Sequence, residues 1–258
     1  MRFDPRREAQ LLLAAAEFLT RLPVAPTGHD PDWLPRAAKY FPLVGIGVGG
    51  LAAAVLVAAH HLWPAPLPEL LAIAATLVLT GALHEDGLAD SADSLGGWTR
   101  EKRLAIMKDP RLGSFGALGL GLCLALQAGS LAALLPGATA AAALVASHAG
   151  GRLAAALLMA AQPYGGELRA SRIEHRAERP RAGEIAVAAA FGLSPLLLLP
   201  PDRAGIGLLL GTAAAALVAW RLCRVLGGYT GDVLGAAVVT YQAAFLLGVA
   251  ADLGRVAP

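Results

Sequence analysis

Apolar residues run through this chain in long blocks, and charged residues are confined to the short stretches between them. Seven blocks stand out. They run from about Phe41 to His60, Glu69 to Leu83, Ser114 to Leu135, Ala138 to Ala161, Glu184 to Leu199, Ile206 to Leu226 and Val233 to Ala250. Each is roughly 15 to 24 residues long, against about 20 needed to cross the hydrocarbon of a bilayer. A bilayer offers backbone polar groups no partner, so the blocks are expected to be helices. The pattern predicts an all-α, polytopic integral membrane helical bundle, with about seven spanning helices in a single domain over residues 1–258. The glycine-rich runs Gly45 to Gly50 and Gly116 to Leu122 suit close helix packing. Ahead of the first block, MRFDPRREAQLLLAAAEFLTRLPV has a basic start and a short apolar run punctuated by Glu17 and Arg21. No small-residue cleavage site follows, so it reads as a retained helix at the membrane surface.

Composition agrees: 56% of the 258 residues are hydrophobic and 16% charged, where a soluble domain carries about a quarter charged. The net charge of +2 gives no sign of a nucleic-acid partner. Cys123 and Cys223 both fall in apolar blocks and read as small buried hydrophobes, with no disulfide framework or zinc site. The placement of Lys and Arg says more. With the N-terminus in the cytoplasm and seven spans, the cytoplasmic segments collect Arg2, Arg6, Arg7, Arg21, Arg36 and Lys39. They also collect Arg100, Lys102, Arg103, Lys108 and Arg111, then Arg169, Arg172, Arg176, Arg179 and Arg181. The other face receives Arg203 and Arg255, as the positive-inside rule requires. The expected location is therefore the cytoplasmic (inner) membrane, with the charged loops on the cytoplasmic face.

The stretch LHEDGLADSADSLGGWTREKRLAIMKDPRLGSFG, Leu83 to Gly116, carries the chemistry. Asp86, Asp90 and Asp93 are spaced i, i+4, i+7 and fall within about 60° of one helical face. Carboxylates that close repel unless a cation or a proton relieves them. Mg²⁺ takes oxygen ligands and keeps part of its shell for water or phosphate oxygens, so the triad suits a metal-bound diphosphate. On spacing alone the same residues would equally suit a solvated face or the start of a helix. Basic residues follow at Arg103, Lys108 and Arg111, and a second acidic motif, GGYTGDVLG (Gly227 to Gly235), threads to the same face. Carboxylates for metal beside Lys and Arg for phosphate is the division that phosphoryl transfer requires.

With these motifs in place, the chain resembles the adenosylcobinamide-GDP ribazoletransferase (cobalamin synthase) family over nearly its whole length. FLTRLPV (Phe18 to Val24), YFPLVGIGVG (Tyr40 to Gly49) and LHEDGLADSAD (Leu83 to Asp93) are similar to family motifs. So are IMKDPRLGSFG (Ile106 to Gly116), the pair Gly151-Arg152, and LGGYTGDVLGA (Leu226 to Ala236). The chain departs from the pattern at Glu85, where an apolar residue is usual, and at Pro110, where Ser is usual. In AVVTYQ (Ala237 to Gln242), Gln242 is the nearest equivalent of a family Glu. The resemblance implies transfer of the phospho-corrinoid group of adenosylcobinamide-GDP to the ribose hydroxyl of α-ribazole or its 5′-phosphate, releasing GMP, with Mg²⁺. It implies that Asp86, Asp90 and Asp93 hold the metal, and that Lys108 and Arg111 bind phosphate, with Arg21, Arg152 and Thr230 as further substrate contacts. Asp109 or Asp232 would orient or deprotonate the nucleophile, and His84 would be a base or a supporting partner. For Arg152, an internal ion pair is the alternative to a phosphate contact. Partners are expected to be the two small-molecule substrates and membrane lipids, with a homo-oligomer left open. A CDP-alcohol phosphotransferase is a rival reading, but Asp86-Gly87 lacks the Ala-Arg pair that follows in that signature. An ion-coupled transporter is another, but its acids would sit in the middle of spans.

Overall fold

The computed structural model describes residues 4–24, 33–134, 137–166 and 178–252. Arg2, Arg169, Arg172, Arg176, Arg255 and the end of the third block at Leu135 lie outside them. Eleven α-helices follow one another among the described residues, and no strand is present there. They are α1 (Pro5–Leu19), α2 (Trp33–Ala37), α3 (Phe41–His60), α4 (Leu67–Thr80), α5 (Leu83–Asp93) and α6 (Arg100–Met107). The rest are α7 (Ser114–Ala133), α8 (Ala138–Ala161), α9 (Ala182–Leu193), α10 (Pro201–Leu226) and α11 (Gly231–Ala250). The chain is a polytopic helical bundle. Five stretches are long and apolar enough to cross a membrane: 33–60, 114–133, 138–161, 201–226 and 231–250. The two shortest predicted blocks differ. α9 continues only to Leu198 through a 3₁₀ turn, and α4 is followed by α5 at an angle of 92°, forming a broken or re-entrant span.

The 92° elbow has a local cause. Gly81 (φ +65) and Ala82 (φ +55) are both left-handed. For glycine this costs nothing, whereas for alanine it costs on the order of 1–2 kcal/mol, which the packing of α5 must offset. A Cβ on Gly81 would run into the Arg21 guanidinium, and the Arg21 backbone N–H donates to Leu79 O at 2.7 Å. Arg21 thus braces the elbow from the segment after α1.

α1 starts at Pro5, which needs no N–H at that position, and is capped by Asp4. Its buried stripe, Leu11, Ala15 and Leu19, joins Leu34, Ala37 and Phe41 in the core cluster nearest the charged end. Glu8 fastens it: Lys39 Nζ lies 2.5 Å away and the Tyr40 hydroxyl donates at 2.7 Å. Partial burial opposes the Glu8 charge, yet these two partners outweigh it and hold its pKa below the usual range. Arg36, buried on α2, bridges Glu184 of α9 and Glu178 at 2.7 and 2.6 Å. Both fastenings are built from charges that the sequence pattern assigned to one membrane face.

α8 and α11 are the most buried spans and form the axis of the bundle. α3 reaches α8 through glycine. A Cβ on Gly45 would stand 2.5 Å from His148 O, and one on Gly49 would stand 2.7 Å from Val145 Cα, whereas Gly47 and Gly50 face open space. The expectation from the glycine-rich runs thus holds on one face of α3 only. In the second run Gly116 is tight and Gly121 is open. Overpacking of such a contact costs about 1–3 kcal/mol. We therefore expect Gly49→Leu to lower the thermal unfolding midpoint in detergent clearly, and Gly47→Leu, one turn-face away, to leave it within a degree or two. Equal effects would mean that α3 and α8 do not pack as described.

Candidate functional site

α5 carries two chemically different faces. His84, Glu85, Gly87, Leu88, Ala89 and Ser91 are buried against the bundle, while Asp86 is exposed and Asp90 and Asp93 are half-buried. The buried face sits on the first turns of α11 at backbone distance. A Cβ on Gly87 would stand 2.9 Å from both Cα and O of Asp232, and one on Gly235 would stand 2.8 Å from His84 O. No larger residue fits at either place without a shift. This contact delivers Asp232 to the aspartates of α5. Half-buried Asp90 faces the negative charges of Asp86, Asp232 and Asp93, and among the described residues no cation is found acting on it.

Asp232 is aimed by its own helix start. Thr230 is the N-cap of α11, its hydroxyl accepting from Val233 N–H at 3.3 Å. A capping hydroxyl of this kind contributes about 1 kcal/mol, so the buried Thr230 positions the carboxylate two residues on. Asp93 does comparable work for α7. Its two oxygens accept from Gly113 N–H at 2.7 Å and Gly116 N–H at 2.8 Å, capping a helix whose own N-cap residue, Gly113, has no side chain to do so. Asp93 therefore pins the loop before α7 against α5.

The chemistry of the donor set fits a hard, oxygen-loving cation: like charges converge on one half-exposed face, and only a proton or a cation relieves them. Among the described residues no three such side chains already stand around a common point. Asp86 and Asp90 are the residues whose oxygens are uncommitted, with Asp232 beside them and Asp93 tied to α7.

The basic loop follows. Lys108 is exposed at the C-cap of α6. Arg111 is also exposed, and it forks Asp109 through Nε at 2.9 Å and Nη2 at 2.7 Å. That fork holds the Asp109 carboxyl down at about 2, so Asp109 has little affinity for a proton at neutral pH. Two other predicted residues point inward instead. His84 is buried on the face of α5 away from the aspartates. Arg152, 1% exposed, donates from Nη1 to His148 O at 3.2 Å, and His148 Nδ1 is 2.9 Å from Gln242 Nε2. The charges of Arg152 and Glu85 bear on each other across this interior. Two of the three departures from the family pattern, Glu85 and Gln242, thus bear on one buried arginine, Glu85 through its charge and Gln242 through His148.

Arg100 was legible in the sequence only as one more positive charge. It donates from Nε to Leu226 O at 2.8 Å and from Nη2 to Gly165 O at 2.7 Å. Those carbonyls belong to the two loops joined by a parallel bridge between Tyr164 and Tyr229, with Gly165 N–H to Tyr229 O at 2.8 Å and Tyr229 N–H to Pro163 O at 2.9 Å. Arg100 clamps the segment that leads into Thr230 and Asp232. We expect Arg100→Ala to lower kcat about tenfold, and to add no further loss when Asp232 is already Asn. The same fold-loss in both backgrounds would make Arg100 a general stabiliser with no action through Asp232.

Comparison with known proteins shows the family. The cobalamin-5-phosphate synthase family model matches residues 11–250. The adenosylcobinamide-GDP ribazoletransferase of Leptothrix cholodnii is 43% identical over 255 residues, covering 93% of this chain and 95% of that protein. That of Shewanella frigidimarina is 40% identical over 235 residues, covering 90% of each, and that of Shewanella piezotolerans is 39% identical over 237 residues, covering 90% and 91%. No solved structure matches. From residue 11 to residue 250, and so through every element that builds the carboxylate face, the chain belongs to the cobalamin-5-phosphate synthase family.

Proposed function

We propose that this chain transfers the phospho-corrinoid group of adenosylcobinamide-GDP to the ribose hydroxyl of α-ribazole or α-ribazole 5′-phosphate, releasing GMP. Family membership and the names of the relatives support the activity. The observation that carries the location is the backbone-distance docking of α5 on α11, which gathers Asp86, Asp90 and Asp232, while Asp93 ties the loop after Lys108 and Arg111 to the same helix. The Lys and Arg asymmetry supports a site on the cytoplasmic face of the inner membrane.

Asp86 and Asp90 would hold Mg²⁺, with Asp93 near. When bound, the ion supplies charge neutralisation at the diphosphate. The ribose oxygen attacks the phosphorus that bears the corrinoid arm, the bond from that phosphorus to the bridging oxygen breaks, and GMP departs with the electron pair. Asp232 takes the hydroxyl proton, a role for which Asp109 is unsuited while Arg111 holds it. Lys108 and Arg111 steady the nonbridging oxygens as charge shifts to GMP, Arg111 exchanging its carboxylate fork for a phosphate one. Thr230, Arg21 and His84 act through the fold, holding α11, the elbow and the buried side of α5.

The direct assay supplies purified protein with adenosylcobinamide-GDP, α-ribazole and Mg²⁺ and follows GMP. Well-folded protein that releases none would refute the reading. Asp232→Asn is expected to lower kcat by about 10²- to 10⁴-fold, the usual range for a general base, whereas Asp109→Asn should cost less than tenfold; the reverse order would return the base to Asp109. Arg111→Lys keeps the charge but loses the two-pronged contact, so its loss should appear in kcat. Unchanged kinetics would remove Arg111 from the phosphate.

A further inference from the structure

On the flank of the bundle, away from the carboxylates, a groove of about 300 Å³ runs between α8 and α10 over α11. Its walls include Leu153 and Leu157 on α8 and Leu208, Ala216 and Trp220 on α10, and Tyr241 of α11 lies beneath. The lining is almost wholly apolar. Along α8 it runs from Gly150 to Gln162, and along α10 from Leu208 to Trp220. At 1.5 Å per residue each run is about 18 Å, close to the ~15 Å of one leaflet's hydrocarbon. One end lies at the exits of α8 and α10, whose loops Arg100 clamps. The groove therefore reaches toward the membrane face that carries the carboxylates.

The mouth is charged. On α10 the lining repeats as Leu208, Thr212, Ala216 and Trp220, and the next position on that stripe is Arg224. The Arg224 guanidinium lies over the Trp220 ring, 5.7 Å from its centroid. A basic residue in a last turn ordinarily serves the helix dipole. Here part of that work is done by others: Cys223 O accepts from Gly227 and Gly228 N–H at 2.9 and 3.0 Å, and Leu226 O accepts from Arg100. Arg224 is turned back along the helix toward the groove. A tryptophan and an arginine at the interface end of a leaflet-deep apolar groove match an acyl chain joined to an anionic headgroup.

We propose that this groove binds one anionic phospholipid of the leaflet on the carboxylate side, its acyl chain lying between α8 and α10 and its headgroup phosphate held by Arg224. A helix of a second copy is the less fitting occupant, because Arg224 at the mouth calls for an anion, which an apolar span does not carry.

Native mass spectrometry of the full-length protein in detergent, titrated with phosphatidylglycerol or phosphatidylcholine, tests the site. One tightly held phosphatidylglycerol per chain is expected, outlasting phosphatidylcholine as collision energy rises. Arg224→Gln should weaken phosphatidylglycerol about fivefold and weaken phosphatidylcholine, whose choline already neutralises its phosphate, clearly less. Ala216→Trp, which fills the groove, should remove the tight adduct of either lipid. Thermal unfolding of each variant checks its fold, and the comparison of the two lipids on unaltered protein stands without any variant. Equal retention of both lipids, tight adducts that survive Ala216→Trp, or a lipid-free dimer that Ala216→Trp dissociates would each overturn the proposal.

Discussion

Two glycines set the distance on which the rest depends. Gly87 and Gly235 let α5 lie against the start of α11 at backbone range, which brings acidic residues of two separate elements together. A methyl group at either position would wedge the helices apart. The consequence is electrostatic. Asp90 is left among Asp86, Asp93 and Asp232, an arrangement that costs the protein stability unless something positive is held there. Stored repulsion of this kind is what a site for a cation and a phosphate ester needs, and it explains why this end of the bundle is so heavily braced.

The bracing is distributed. Asp93 caps α7, Thr230 caps α11, Arg100 clamps the loop that leads into α11, and Arg21 closes over the elbow before α5. Several residues that a sequence reading assigns to substrate are thus fastened to backbone. The positive ends of α7 and α11 both point toward the acidic cluster, which offsets part of its repulsion. In this arrangement Arg111 and Lys108 stay at the exposed rim, where a diphosphate arriving from solution would meet them first.

Much of this was readable in the sequence, for physical reasons. Helical periodicity alone puts Asp86, Asp90 and Asp93 on one face, and the glycine at 87 signals a close approach on the other. The apolar blocks became helices because the bilayer leaves them no alternative. The elbow was not readable. The apolar run from Glu69 to Leu83 continues through it, and Ala82 adopts a left-handed conformation that alanine does not advertise. Asp93 and Asp109 carry the residue type of a ligand and a base, and their contacts with Gly113, Gly116 and Arg111 were not readable, because only folding supplies those partners. Arg100 was hidden among charges that the positive-inside rule already explained.

Binding of Mn²⁺, followed by its electron paramagnetic resonance signal, tests most directly whether the α5–α11 face is the metal-holding centre. The account predicts that the folded protein binds the ion, and that Asp86→Asn and Asp90→Asn each weaken binding at least tenfold while unfolding at a temperature no lower than that of the unaltered protein. Binding as tight in both variants as in the unaltered protein would place the ion elsewhere and contradict it.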